Sequence, residues 1–224
     1  MKNPFLLPLF CVGVFLIVAF YIISKTLYKA RHKETYSFWR MFPYELNYPS
    51  VFKENIWGNF LFIFACLTVV AFYIMNPNGD LYRVIGIIIS IVFTMVSVCL
   101  LMMPMNYLRT HLVLSIFLMT LSLALPLFNM FLAYADYTFY ENQASRVLSI
   151  ISMVVSGILA LIMLVLIMNP KLTFKIYLDK RTDSEGNEVL VRPRVIFLAL
   201  NEWMAIFIYF LTPLAIVLVN IVDK

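Results

Sequence analysis

The chain has 224 residues, of which 63% are hydrophobic and 13% charged, and its mean hydropathy is +0.91. Soluble domains run at about 45 to 50% apolar and about 25% charged residues, so a water-soluble fold is excluded. Lysine and arginine outnumber acids 17 to 12, but the excess gathers in particular loops, which argues against a nucleic-acid surface.

A helix needs about 20 consecutive, mostly apolar residues to cross about 30 Å of hydrocarbon. Six stretches satisfy this: Pro4 to Ile23, Ile56 to Met75, Val84 to Met103, Leu112 to Tyr134, Val147 to Met168 and Val195 to Ile221. The expected fold class is an all-α integral membrane protein, a six-span transmembrane helix bundle forming one polytopic domain over residues 1–224. A chain of 26.1 kDa supplies enough helix for a compact bundle but too little to surround a wide aqueous channel alone. Lys2 before the first apolar run imitates a secretory signal. No small-x-small cleavage site precedes Ser24, however, so the run is expected to stay as a helix. Cys11, Cys66 and Cys99 fall inside apolar runs without C-x-x-C spacing, and read as small buried packing residues.

Short connections punctuate most of the spans. Asn76-Pro77-Asn78-Gly79-Asp80 is a tight-turn sequence, and Pro104 and Asn169-Pro170 close spans three and five. The two long loops, Ser24 to Asn55 and Asn169 to Arg194, fall on the same face of a six-span protein. That face collects 13 basic residues: Lys25, Lys29, Arg31, Lys33, Arg40, Lys53, Arg109, Lys171, Lys175, Lys180, Arg181, Arg192 and Arg194. The other holds 4, namely Lys2, Arg83, Arg146 and Lys224. Cytoplasmic loops carry the lysine and arginine excess, so both termini are expected outside, in a cell membrane taken to be bacterial.

The first long loop mixes bases with Tyr36, Phe38, Trp39, Met41, Phe42 and Tyr44. Aromatic residues beside lysines and arginines favour the headgroup zone, so the segment is expected to lie on the inner leaflet. Two readings fit it. One is an interfacial anchor, and the other a cytoplasmic contact surface of Arg31, Lys33, Trp39 and Arg40 for a protein partner or an anionic lipid. The lone His32 does not make a metal site.

In the second long loop, Leu172, Phe174, Ile176 and Leu178 alternate with Thr173, Lys175, Tyr177 and Asp179, the period of a half-buried strand. Turn residues follow at Asp183-Ser184-Glu185-Gly186-Asn187, and Val189-Leu190-Val191 can return. A short cytoplasmic β-hairpin is expected, packed on the first loop, the bilayer or another protein, because two isolated strands are marginal in water.

Helix interfaces in lipid are marked by small and hydroxyl residues. Span three carries Gly86, Ser90, Thr94 and Ser97; span five Ser145, Ser149, Ser152, Ser156 and Ala160; span four Ser115, Ser122 and Asn129; span two Asn59, Cys66 and Tyr73. Each set lies along one side of a helix. The seams serve either as interhelical packing or as a polar solute pathway, with candidate residues Glu202, Tyr209, Thr212, Asn129 and Ser122. Pro126 and Pro213 would free the carbonyls of Ser122 and Tyr209. Glu202 lies seven residues into span six, roughly 10 Å deep at about 1.5 Å per residue. It is either an intramembrane ion or proton ligand, or a headgroup-level residue beside a belt Trp203. The match of Ile74-Met75-Asn76-Pro77 with Ile167-Met168-Asn169-Pro170 suggests an inverted repeat, but spans one and four do not align at the same offset.

No catalytic or cofactor motif is present: no H-E-x-x-H, G-x-S-x-G or Walker loop, and His32 and His111 are placed outside or at the membrane edge. The expected function is a non-catalytic multi-pass membrane protein, a scaffold or accessory subunit, without cofactor. Its expected partners are membrane lipids and a protein at the cytoplasmic loops or a second copy, with no nucleic acid. The alternative is a small-solute or ion transporter using the seams and Glu202.

Overall fold

The computed structural model describes residues 3–47, 53–76, 80–103, 107–139, 143–172, 179–182 and 188–222. Its helices are α1 (Leu6–His32), α2 (Ile56–Met75), α3 (Asp80–Met102), α4 (Leu108–Phe139), α5 (Gln143–Ile167), α6 (Phe197–Leu211) and α7 (Pro213–Val222). Six segments are long and apolar enough to cross a membrane, the last of them combining α6 and α7. Large apolar side chains stand on the outside, among them Phe15, Met95, Phe131 and Val165, each at least 60% exposed. Water would not tolerate such a surface, whereas lipid tails solvate it.

The helix boundaries follow the apolar runs, with two extensions. The expected first span ends at Ile23, yet α1 continues to His32. Nothing between breaks the helix, and Lys25 and Lys29 can bury their stems while their charges reach polar surroundings. Lys33 then stops it in the left-handed region at φ 55°, its N–H donating to the Lys29 carbonyl at 3.0 Å. Likewise α4 extends beyond Leu112 and Tyr134 to Leu108 and Phe139, because hydropathy marks the lipid-embedded part of a helix and not its ends.

Two prolines behave differently. Pro126 sits inside an uninterrupted α4, whereas Pro213 divides the last span at Thr212. Before the break, the Thr212 N–H and hydroxyl both donate to the Ile208 carbonyl, at 2.9 and 2.6 Å.

Helix α6 is the centre of the bundle. Eleven of its residues are buried, including Asn201, Glu202 and Trp203. The small and hydroxyl seams turn inward to meet it: Asn59, Cys66 and Tyr73, then Ser90 and Ser97, then Ser115, Ser122 and Asn129, and Ser145 to Ser156 are buried. Cys66 shares that burial, but Cys11 and Cys99 are exposed on the outer surface, against the expectation that all three pack inside. An apolar run does not reveal which side of its helix faces lipid.

The first long loop departs most from expectation. Much of its aromatic and apolar side-chain surface is used inside the protein: Tyr36, Met41, Phe42 and Leu46 are buried against the bundle, while Trp39 is 49% exposed. The loop is held by Asn47 Nδ2 donating to the Leu101 carbonyl (2.9 Å) at the end of α3, and by an Arg192–Glu45 ion pair of 2.6 Å. Ile196 N–H donates to the Trp39 carbonyl at 2.9 Å. These contacts bring both long loops to one end of the bundle, called here the basic end.

In the second long loop, Asp179–Thr182 and Glu188–Val191 are aligned antiparallel, with Asp179 opposite Val191. The alternating arm beyond Leu172 and the turn at 183–187 lie outside the described residues. The packed fold is therefore all-helical, and the hairpin as a whole stands among the proposals below.

Candidate functional site

The site begins with a spacing on α4. His111 and Ser115 are four residues apart, so they share the helix face that continues through Ser122 and Asn129. Helix α6 presents Glu202 to that face from its second turn. His111 Nε2 lies 3.1 Å from Glu202 Oε1, and both side chains are fully buried. Ser115 Oγ stands 2.6 Å from the same carboxylate oxygen and 2.9 Å from the His111 carbonyl, so its one proton serves one of two acceptors. Glu202 Oε2 and His111 Nδ1 are buried and have no hydrogen-bond partner among the described residues.

A lid from the first loop covers the pair. Phe42 and Tyr44 turn ring edges or faces to the imidazole at centroid distances of 5.8 and 5.3 Å. Glu45 fixes the lid, accepting the Phe42 N–H at 2.9 Å through one oxygen and Arg192 through the other. Beside it, Trp203 Nε1 donates to the Tyr36 hydroxyl (2.9 Å) and the Met41 carbonyl (3.1 Å). Burial, and then the nearby Glu45 carboxylate, push the Tyr36 phenol well above its ordinary range. It thus keeps its proton and donates it to the Phe42 or Met41 carbonyl, at 2.8 and 3.1 Å. Glu202 and Trp203 are both fully buried within the bundle: the tryptophan is locked against the first loop, and the carboxylate faces α4.

The five residues expected to share one intramembrane site fall into separate groups. Tyr209 stacks on Phe93 at 3.9 Å, with its hydroxyl 3.2 Å from the Ser90 carbonyl and 3.3 Å from Thr94 Oγ1. Asn129 accepts the Tyr73 hydroxyl at 3.2 Å and donates to the Thr212 carbonyl at 3.0 Å. Ser122 donates to the Met119 carbonyl of its own helix at 2.8 Å. Only Glu202 joins the histidine.

The residues expected at the contact surface also separate. Arg31 is drawn inward, to Glu54 at 3.2 Å and the Leu46 carbonyl at 2.8 Å. Arg40 pairs with Glu34 at 3.0 Å, Lys33 is exposed, and Trp39 is 49% exposed.

His111 is the site residue that sequence reasoning missed: it is buried and paired with Glu202. The available signal was its register, one turn before Ser115 on the polar seam of α4. Chemically, an imidazole and a carboxylate 3.1 Å apart can form an ion pair or share one proton. No group of three or more His, Cys, Asp or Glu side chains suited to a metal occurs among the described residues. Comparison with protein families, curated proteins and solved structures gives no match.

Proposed function

We propose that this chain is a non-catalytic multi-pass membrane protein, an accessory or scaffold component of a membrane complex, whose basic end receives a protein partner. The observation that carries this reading is the folded first loop, which holds its backbone on the bundle yet leaves Trp39 49% exposed beside Lys33 and Arg40. Exposed aromatics flanked by arginine or lysine on a rigid support are the usual anchors of protein interfaces. The basic-residue asymmetry supports a cytoplasmic basic end with both termini outside, in a cell membrane taken here to be bacterial. A hairpin spanning Leu172 to Val191 would extend the same surface. Amide exchange is expected to protect both arms and leave residues 183–187 fast. Uniformly fast exchange would remove the hairpin.

Purification in mild detergent tests the partner. A stoichiometric companion, a different protein or a second copy, is expected with the wild type. It should be lost with Trp39→Ala while the variant's own melting is unchanged. A solitary protein indifferent to Trp39 overturns this reading.

The Glu202 site supports a second reading, a proton- or cation-coupled transporter. What favours it is the pair of buried, unpartnered atoms, Glu202 Oε2 and His111 Nδ1. Spare hydrogen-bonding capacity inside a membrane bundle marks a place where an ion or water can be held. Glu202→Gln keeps the size and one acceptor but cannot carry charge. Under this reading it abolishes dye-detected proton flux into liposomes and removes a carboxyl infrared band that responds to pH. An unresponsive carboxylate with no flux leaves the pair as packing.

A further inference from the structure

We infer that the groove between α1 and α6 is a binding site for an acyl chain of an anionic phospholipid, with Lys25 holding the lipid's phosphate. The groove is an apolar cavity of about 210 Å³ lined by Val14, Ile17, Val18 and Tyr21 from one side and Phe207, Phe210 and Leu211 from the other. It is open sideways, since Val18 is 50% and Leu211 40% exposed. In a bilayer the molecules that reach it are lipid tails.

The α1 wall continues without interruption into charge. Val14, Val18, Tyr21, Lys25 and Lys29 succeed one another at steps of four, three, four and four, a single face of the helix. From Val14 to Tyr21 that face runs roughly 10 Å at about 1.5 Å per residue, enough for a segment of one extended tail. One turn beyond, Lys25 Nζ sits 5.7 Å from the centre of the Tyr21 ring. The ring positions the ammonium above the end of the groove, and no acidic side chain pairs with Lys25 among the described residues. Phe38 closes the same end, meeting both Tyr21 and Phe207 at 6.4 Å. Trp39 packs against Phe38 in a tilted pair at 4.7 Å.

An apolar slot capped by a free cation fits a tail joined to a negative headgroup. A zwitterionic lipid fills the slot equally but returns less to Lys25, because its own ammonium offsets the phosphate. This inference requires only that the helices lie in a bilayer. It does not depend on the partner proposed for the basic end.

The test uses the full chain, stripped of lipid in mild detergent and titrated with phosphatidylglycerol or phosphatidylcholine of identical tails under native mass spectrometry. The wild type is expected to retain phosphatidylglycerol about fivefold better, the effect of one lysine near an anionic headgroup. Lys25→Gln should erase that preference while still binding both lipids. Val18→Trp should fill the groove and eject both. Equal retention of the two lipids by the wild type overturns the inference. So does an unchanged preference in Lys25→Gln, which alters only a surface charge and leaves the fold intact.

Discussion

The two polar clusters beside the last span use similar side chains to different ends. Where α6 gives way to α7, Asn129 spends both ends of its amide, accepting from Tyr73 and donating to the Thr212 carbonyl. It braces the junction that Pro213 creates. Nearer the basic end, Glu202 and His111 are just as deeply buried, yet each keeps a polar atom without a partner among the described residues. Burial is common to both clusters, so it does not distinguish helix glue from a site. Completeness of hydrogen bonding separates these two, but Asn59, Ser156 and Asn201 also keep buried atoms without a partner among the described residues. What sets the Glu202 cluster apart is that its open atoms belong to two titratable groups in contact.

The comparison breaks most visibly at His111. Replacing it by Ala strands Glu202 beside Ser115 alone, and loss of one partner from a buried pair costs about 3 to 5 kcal/mol. Replacing both partners by Leu should recover most of that loss, since the carboxylate departs with the imidazole. Detergent-titration unfolding of the two variants measures the difference. If His111→Ala costs no more than a substitution at Asn129, the pair is ordinary packing.

A smaller effect is expected at Gly86. A Cβ there would meet the Tyr73 ring inside carbon–carbon contact distance, so Gly86→Ala must displace the tyrosine whose hydroxyl reaches Asn129. Overpacking of this kind costs about 1 to 3 kcal/mol. Suppressing it with Tyr73→Leu in the same unfolding assay would show that the glycine acts through the ring. Asn129→Leu ranks next, at about 0.6 to 1.7 kcal/mol, the range of interhelical hydrogen bonds measured in a membrane bundle. A cost well above that would mean the Thr212 junction depends on the amide more than its two bonds suggest.

Much of this arrangement was legible in the sequence, and the exceptions share a cause. Ile56 to Met75 was bounded as the structure has it, and the serine, threonine and asparagine seams faced the interior as close packing in lipid requires. These features are local, fixed by apolarity and by helical spacing. What escaped depends on residues far apart in the chain. Nothing near Tyr36 indicates that its hydroxyl accepts from Trp203, 167 residues away, so its aromatic and basic neighbourhood reads equally as a leaflet anchor. His111 lies in a polar stretch at the end of a span, and only Glu202, 91 residues on, turns it into a buried partner. Pro126 and Pro213 look alike in sequence, yet one leaves its helix whole and the other divides it.

Ser122 sharpens the comparison from the opposite side, because the smallest effect is expected there. It is fully buried and in register with Ser115 and Asn129, so sequence alone groups it with them. Its hydroxyl, however, donates to the Met119 carbonyl within α4 at 2.8 Å. That carbonyl keeps its place in the helical ladder without the serine, so no buried acceptor is abandoned when the hydroxyl is removed. Alanine also preserves the small volume that lets helices approach, and it is the better helix former. Ser122→Ala should therefore shift unfolding by no more than a few tenths of a kcal/mol, in either direction. It should also leave the infrared response of Glu202 untouched. A loss comparable to Asn129→Leu would mean that Ser122 reaches across to another helix through a bound water, and the polar seam of α4 would then be one connected network instead of two clusters.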